Sequence, residues 1–129
     1  MIACDSRITS GDSILADARD QRRERGGVWF FLCGEDHATD AVVDTWPGVE
    51  VPCDNWNALV YDGDTLWFCG TNEGALWKCR QPMDEPIAMG SGADHAFTAM
   101  DLGCSAKQAV KMAAKRDSGT GGKIRTHKL

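Results

Sequence analysis

Apolar runs of strand length, separated by turn residues, occupy much of the chain up to residue 85. These runs predict strands over residues 1–9, 13–15, 28–33, 58–61, 65–69 and 75–79. The run 28–33 (VWFFLC) is apolar on both faces, which is typical of a strand covered on both sides. Asp62-Gly63-Asp64 predicts a hairpin between its flanking strands, and Asn72-Glu73-Gly74 predicts a second one. The charged residues 16–25 are expected in a loop or at an exposed sheet edge.

Two segments show helical spacing of apolar residues and clear stop signals. Residues 37–46 predict a short helix that Pro47-Gly48 ends, with four residues facing inward: Ala38, Ala41, Val42 and Thr45. A second helix follows Ser91, which is expected to be its N-cap, with Asp94 completing a capping-box-like pair. Its apolar face is expected to comprise Ala93, Ala96, Phe97 and Met100. Gly103 is expected just after its end.

A third helix is predicted from Ser105, which forms a capping box with Gln108. Its apolar face is expected to comprise Ala106, Ala109, Val110 and Ala113, and Lys115 and Arg116 suit its negative C-terminal end. The faces of the last two helices consist mainly of small residues, so both are expected close against a sheet. A final strand is predicted from Lys123, after a Gly-rich turn.

This order of elements, with helices grouped after runs of strands, indicates an α+β fold with antiparallel sheets. The 129 residues are expected to form one domain, 1–129. A net charge of -5 argues against a nucleic-acid surface. No apolar run is long enough for a membrane-spanning helix, and the start lacks the pattern of a secretory signal. We therefore expect no nucleic-acid or membrane partner, and a cytoplasmic location.

The six cysteines, at positions 4, 33, 53, 69, 79 and 104, include no CxxC pair, and the three histidines are scattered. This pattern shows no zinc-site spacing, so no metal and no cofactor are expected. Cys69 and Cys79 could face each other across a hairpin, but nothing demands a disulfide. Buried, reduced thiols are the simplest interpretation.

Two stretches carry a resemblance to a known family. The turn IAMGSG (residues 87–92), the two helices and the turn RDSGTGG (116–122) resemble the C-terminal half of a proteasome β-subunit. Ile2-Ala3-Cys4-Asp5-Ser6-Arg7 resembles the strand and turn near the nucleophile of that family. Bacterial and phage-encoded proteasome-like peptidases are also similar. The resemblance is specific at residues 2–11 and 86–122 and loose at 35–57, where this chain is much shorter.

The resemblance implies an N-terminal-nucleophile (Ntn) hydrolase fold, a four-layer αββα sandwich, and amide hydrolysis by an N-terminal threonine. In such a mechanism the α-amino group of the threonine is the base and backbone N–H groups stabilise the oxyanion. The residues that match catalytic positions of the family are Asp5, Ser91, Asp117 and Thr120, the last standing where serine is usual. Gly34 is the candidate for the oxyanion glycine, and Gln21 falls at the position of the family's lysine.

Two departures from the family bear on activity. The threonine and its strand are missing ahead of Ile2, so the fold is expected to lack its first strand and this chain to be inactive. Thr9 lies on the wrong side of the turn to replace the nucleophile. Gln21 is neutral and cannot lower the pKa of a nearby amine as lysine would. Either the start is assigned too late, with a threonine encoded upstream, or the chain is a non-catalytic relative.

Three hypotheses therefore stand. The first is a proteasome-like threonine peptidase acting on peptides or unfolded proteins. The second is a non-catalytic structural or assembly member of that family. The third is a small-ligand binding module that uses Trp56, Trp67 and Trp77, for which core packing is the simpler interpretation. The resemblance also implies a homo-oligomer, an ATP-dependent unfoldase as a conceivable partner, and a phage or prophage source.

Overall fold

The computed structural model describes residues 1–10, 12–51 and 53–129. The fold is α+β, with antiparallel sheets and three helices. In chain order the elements are β1 (Ile2–Cys4), β2 (Ile8–Ser10), β3 (Ser13–Ala16), β4 (Arg22–Arg25), β5 (Val28–Gly34), α1 (Asp36–Thr45), β6 (Trp56–Tyr61), β7 (Leu66–Asn72), β8 (Ala75–Arg80), α2 (Ala93–Asp101), α3 (Ala106–Arg116) and β9 (Arg125–His127).

The chain divides into two compact units, residues 22–85 and residues 1–21 with 86–129. No helix in the described part of the chain has the length and apolar character needed to cross a membrane. The predicted turn at residues 10–12 includes Gly11, which lies outside the described residues, as does Pro52 in the loop before β6.

The unit of residues 22–85 is an antiparallel meander in the order β4-β5-β6-β7-β8, with α1 packed on β5 and β6. Its core contains Phe30, Val42, Trp56, Val60 and Cys69 among others. Successive side chains of a strand point to opposite faces. Since Phe30 is 1% exposed and Phe31 is 0% exposed, both faces of β5 are buried.

Local patterning was a good guide in this unit. The strand over 28–33, both hairpins and the first helix are confirmed, and the end of the charged stretch forms the edge strand β4. In the first hairpin Asp62 Oδ1 accepts hydrogen bonds from the backbone N–H groups of Asp64 and Thr65, which fixes the turn. The buried residues of α1 are Ala38, Thr39, Val42 and Val43. Ala41 and Thr45, which we expected inside, are only half-buried.

The unit of residues 1–21 and 86–129 contains two small antiparallel sheets, β1-β9 and β2-β3, together with α2 and α3. Four buried alanines form the contact between these two helices: Ala96, Ala99, Ala109 and Ala113. The small side chains let α2 and α3 pack closely against each other, while α3 also contacts β1.

The predicted strand over residues 1–9 is confirmed only in part, because it is interrupted: β1 ends at Cys4 and β2 begins at Ile8. The three residues between them, Asp5, Ser6 and Arg7, bind the segment after α3 instead of pairing with a strand. The capping box of Ser105 and Gln108 is confirmed, with both reciprocal hydrogen bonds present. Gly103 follows α2 with a φ of 94°, as predicted for the residue after a helix end.

Gly34, the last residue of β5, is the glycine that the meander requires most. Its φ is 116°, and a Cβ atom there would lie 2.3 Å from the backbone oxygen of Asn55. Gly63 also has a positive φ, 97°, but a Cβ at that position meets nothing within 4 Å. Substituting each of the two glycines therefore distinguishes the loss of stability caused by backbone strain alone from the additional loss caused by a steric clash.

We predict that Gly34→Ala lowers the free energy of unfolding by about 3 kcal/mol or more, because strain and clash add. Gly63→Ala, which introduces strain alone, should cost about 1 kcal/mol. Urea unfolding of both variants measures the difference. Equal costs would contradict the close approach of Asn55 to Gly34.

Candidate functional site

The segment that follows α3, residues 117–123, forms hydrogen bonds with polar side chains from other parts of its unit. Asp117 is the C-cap residue of α3, and its carboxylate Oδ2 accepts two short hydrogen bonds. Ser91 Oγ donates one at 2.6 Å and Thr120 Oγ1 donates the other, also at 2.6 Å. We call these three residues the hydroxyl–carboxylate cluster. Ser91 is exposed and Thr120 is buried, so one side of the cluster faces solvent.

The contact with Asp117 corrects the predicted role of Ser91. The N-cap of α2 is Gly92, and no side chain caps this helix end. A hydroxyl gains more from an ionised carboxylate than from a neutral backbone N–H, since charge-assisted hydrogen bonds are shorter and stronger. The sequence pattern could not show that a carboxylate 26 residues away would compete for the hydroxyl.

Gly119 makes the approach of Ser91 to Asp117 sterically possible. A Cβ at position 119 would lie 2.6 Å from Ser91 Oγ and 3.3 Å from Asp117 Oδ2. Any larger residue there would push the hydroxyl away from its acceptor. The glycine in this turn therefore serves the cluster directly, in addition to helping the chain turn.

The two hydroxyls lower the pKa of Asp117 below its ordinary value of 3.8, with the hydrogen bond from Ser91 as the largest cause and that from Thr120 next. Each hydroxyl gives its only proton to the carboxylate, so its oxygen keeps lone pairs for another donor. At neutral pH the cluster is thus an anion with an outward-facing acceptor at Ser91. Such an arrangement suits an ammonium group.

Asp5 is attached to the other end of the same turn. Its Oδ2 accepts a hydrogen bond from the backbone N–H of Gly121 at 2.9 Å, and its Oδ1 accepts one from Gln21 Nε2 at 3.1 Å. Burial raises the pKa of Asp5 above 3.8, and the bonds from Gly121, the Arg7 backbone and Gln21 offset that rise only in part. Gln21 therefore contacts Asp5 as a neutral hydrogen-bond donor.

Three residues that the sequence left without a role fix this geometry. Ser6 is fully buried, its N–H donates to Gly121 O at 3.0 Å, and its hydroxyl donates to the carbonyl of Lys123. Arg125 Nη1 donates to the same hydroxyl at 2.5 Å. Arg7 donates to Ser118 O at 3.1 Å and pairs with Asp17. Ser6 and Arg7 directly follow Asp5 in the sequence, and this position next to a predicted site residue was the one sequence feature that could have indicated their role.

The predicted site residues thus fall into two groups. Asp5, Gln21, Ser91, Asp117 and Thr120 lie in one unit and are linked through residues 117–121. Gly34 belongs to the other unit, where it ends β5 opposite Trp56. Its positive φ and its contact with Asn55 already account for a glycine at this position.

The three tryptophans proposed for ligand binding each have a partner within residues 22–85. Trp56 is buried and donates to Thr71 Oγ1, and the half-buried Trp67 donates to Asp62 Oδ2. Trp77, also half-buried, packs edge-on against Phe68. The indoles are therefore used in packing, and the idea of a small-ligand module gains no support from them.

Comparison with known proteins places the fold. No protein-family model matches the chain, and a search of curated proteins finds no match. Two solved structures of BPH from Thiobacillus denitrificans are similar to this chain, each at a TM-score of 0.70. The sequence of this chain is 11% identical to that of BPH in the complex with epoxomicin and 14% identical to that in the second structure. Both matches cover 95% of this chain and 88% of the BPH chain. At this identity the likeness shows a shared fold.

We predict opposite pH dependences for the two aspartates. Asp117, with a lowered pKa, stabilises the fold above pH about 3.8, and this contribution disappears as the pH falls further. Asp117→Asn should therefore cost about 1 kcal/mol near neutral pH, or roughly 3–5 °C in Tm, and little in acid. Asp5, with a raised pKa, favours folding when protonated, so Asp5→Asn should gain on the wild type as the pH rises above about 3.8.

Thermal denaturation of both variants across this pH range measures the two trends. Asp12→Asn, which removes one carboxylate at an exposed turn position, is the matched control. Parallel curves for Asp5→Asn and Asp117→Asn would contradict the electrostatic difference between the two carboxylates.

Proposed function

We propose that this chain carries the site framework of a proteasome-like threonine peptidase, an Ntn hydrolase with a four-layer αββα sandwich. The observation that carries the proposal is the convergence of Ser91 and Thr120 on Asp117 Oδ2, at 2.6 Å each. The family resemblance of the sequence points to the same three residues. The fold similarity to BPH, a bacterial proteasome homologue, supports the same assignment.

In the proposed mechanism, the hydroxyl–carboxylate cluster holds the α-amino group of an N-terminal threonine. Ser91 accepts a hydrogen bond from the amine, and Asp117 supplies the negative charge. An α-amine has an ordinary pKa of about 8, so near neutral pH a useful fraction is free to take the threonine hydroxyl proton. The hydroxyl oxygen then attacks the peptide carbonyl carbon, and backbone N–H groups stabilise the oxyanion that forms.

Asp5 is proposed to orient the nucleophile, with Gln21 in the place of the family's lysine. A neutral amide leaves the local positive charge lower than lysine would, so the amine pKa is depressed less. The expected consequence is a slower enzyme at neutral pH. Gln21 is also the residue that favours the alternative, a non-catalytic structural or assembly member.

The nucleophile itself is proposed to belong to a segment that precedes residue 1. No threonine occurs in residues 1–4, and Thr9 lies in β2, beyond the Asp5 turn. We expect residues 1–129 alone to hydrolyse no peptide. The proposed substrates are peptides or unfolded polypeptides, and an ATP-dependent unfoldase is the proposed partner for folded ones.

The test is to express the chain together with its in-frame upstream codons, so that an N-terminal threonine is exposed. The proposal predicts hydrolysis of fluorogenic peptides, inhibition by epoxomicin, and loss of both on changing that threonine to alanine. Asp117→Asn should lower kcat/KM by about 100-fold or more, because the cluster loses its charge. Asp101→Asn, an exposed aspartate of α2, is the matched control and should leave kcat/KM unchanged.

Two results would reject the peptidase proposal. One is an upstream reading frame that encodes no threonine-bearing strand. The other is an extended chain with an exposed threonine that neither cleaves peptides nor binds epoxomicin. Either result would leave the non-catalytic assembly role as the better account.

We further propose that the protein is a homo-oligomer, by analogy with the ring-forming family. The region 35–57 is much shorter than in that family, so a dimer is as consistent with the analogy as a ring. Sedimentation velocity should give a mass at least twice the 14.0 kDa of the chain. A single monomeric species at micromolar concentration would contradict this proposal.

A further inference from the structure

A second group of chemically reactive side chains lies in the unit of residues 22–85, at the start of α1. Glu35, His37 and Cys53 each offer one ligand atom, and these atoms all lie within 4.8 Å of one another. His37 Nε2 is 3.3 Å from Glu35 Oε2, and Cys53 Sγ is 3.8 Å from the same oxygen. Glu35 and His37 are exposed and Cys53 is half-buried, so the group is open to solvent.

The fold builds this group from two stretches of chain. Glu35, the N-cap residue of α1, donates its backbone N–H to Asn55 O at 3.0 Å, which joins the helix start to the loop before β6. Asn55 Nδ2 also donates to Glu35 Oε1 at 3.2 Å. That bond fixes the carboxylate and leaves Oε2 directed at the thiol and the imidazole. Hydrogen-bonded support of a ligating carboxylate is typical of metal sites.

The spacing of the ligand atoms matches a tetrahedral zinc ion. Bond lengths of about 2.0–2.1 Å to nitrogen or oxygen and about 2.3 Å to sulfur place tetrahedral neighbours about 3.3 Å apart for N and O, and about 3.6 Å apart for S and O. The observed separations of 3.3 Å and 3.8 Å differ from these by 0.2 Å or less. The third separation, between the imidazole and the thiol, is within 4.8 Å, so these two side chains would have to move closer together for all three atoms to reach bonding distance.

We propose that Glu35, His37 and Cys53 form a Zn²⁺ site. A thiolate, an imidazole and a carboxylate are ligands that zinc accepts together, whereas Mg²⁺ and Ca²⁺ prefer oxygen alone. On binding, the thiol of Cys53 loses its proton to solvent, and the thiolate and carboxylate balance the two positive charges. The exposed fourth position holds water or an external ligand. The ion ties the start of α1 to the loop before β6.

The proposed site goes beyond the proposed function and differs from the sequence expectation of no metal. That expectation relied on ligand spacing along the chain, and Cys53 lies 18 residues after Glu35. The end of the β5–β6 pairing, where Gly34 faces Trp56, and the hydrogen bonds between Glu35 and Asn55 bring the two stretches together. The alternative is a thiol and an imidazole that share hydrogen bonds with Glu35 and bind no ion.

Co²⁺ and Zn²⁺ titrations of the full chain, reduced with a phosphine, distinguish these possibilities. The proposal predicts one Co²⁺ per chain with a thiolate-to-cobalt charge-transfer absorption, displaced by one equivalent of Zn²⁺ and unaffected by excess Mg²⁺. Cys53→Ser should abolish this absorption and weaken Zn²⁺ binding at least about 100-fold, and Asn55→Ala should weaken it about tenfold. Cys79→Ser, which removes an exposed thiol outside the group, is the matched control and should bind like the wild type.

Thermal denaturation shows whether a variant that does not bind Zn²⁺ is still folded. Zn²⁺ should raise the Tm of the wild type and of Cys79→Ser, and leave the Tm of a folded Cys53→Ser unchanged. Absence of the charge-transfer absorption in the wild type would overturn the proposal. Equal Zn²⁺ affinity in Cys53→Ser and Cys79→Ser would overturn it as well.

Discussion

The organisation of the candidate site depends on the hydrogen bonds that two carboxylates, those of Asp117 and Asp5, make at the short segment after α3. Asp117 begins this segment and collects the hydroxyls of Ser91 and Thr120. Asp5 reaches its end and accepts the N–H of Gly121. The same 117–121 turn therefore joins the start of the chain, the entry to α2 and the end of α3.

The two carboxylates occupy contrasting environments. Asp117 is stabilised as an anion by two hydroxyl donors, which lowers its pKa. Asp5 is half-buried beside neutral donors, and desolvation raises its pKa. Acidic groups whose pKa values are driven apart by their surroundings are characteristic of sites that handle protons. Under the proposed function, the anion of Asp117 and the carboxylate of Asp5 would be the two acidic groups near the amine base.

Local interactions made much of the fold predictable. The Asp62-Gly63-Asp64 hairpin and the Ser105–Gln108 capping box involve partners within a few residues, and both are present. The predictions failed where a distant partner competed with a local one. Ser91 donates its hydroxyl to Asp117 and so does not cap α2 as expected. Ser6 forms hydrogen bonds with residues 121–125, at the point where the expected first strand is interrupted. No local pattern encodes such competition.

The candidate site residues were also predictable only where their distant partners could be inferred. Asp5, Ser91, Asp117 and Thr120 could be selected because a family resemblance supplied their long-range relationship. Ser6 and Arg125 could not, since a buried hydroxyl bridging an arginine and a carbonyl has no sequence signature. The group of Glu35, His37 and Cys53 was missed for the same reason. Its members are brought together by strand pairing and by the hydrogen bonds between Glu35 and Asn55, which no local sequence pattern shows.

The most direct test of the central claim is hydrogen exchange at the amides of Gly121 and Ser6, which the Asp5–turn interaction protects. Both should exchange slowly in the wild type, because both residues are buried and their N–H groups are hydrogen-bonded. In Asp5→Ala both should exchange at least about tenfold faster, while amides of β6 keep their wild-type rates. Fast exchange at Gly121 in the wild type, or unchanged protection in Asp5→Ala, would contradict the claim that this carboxylate holds the turn.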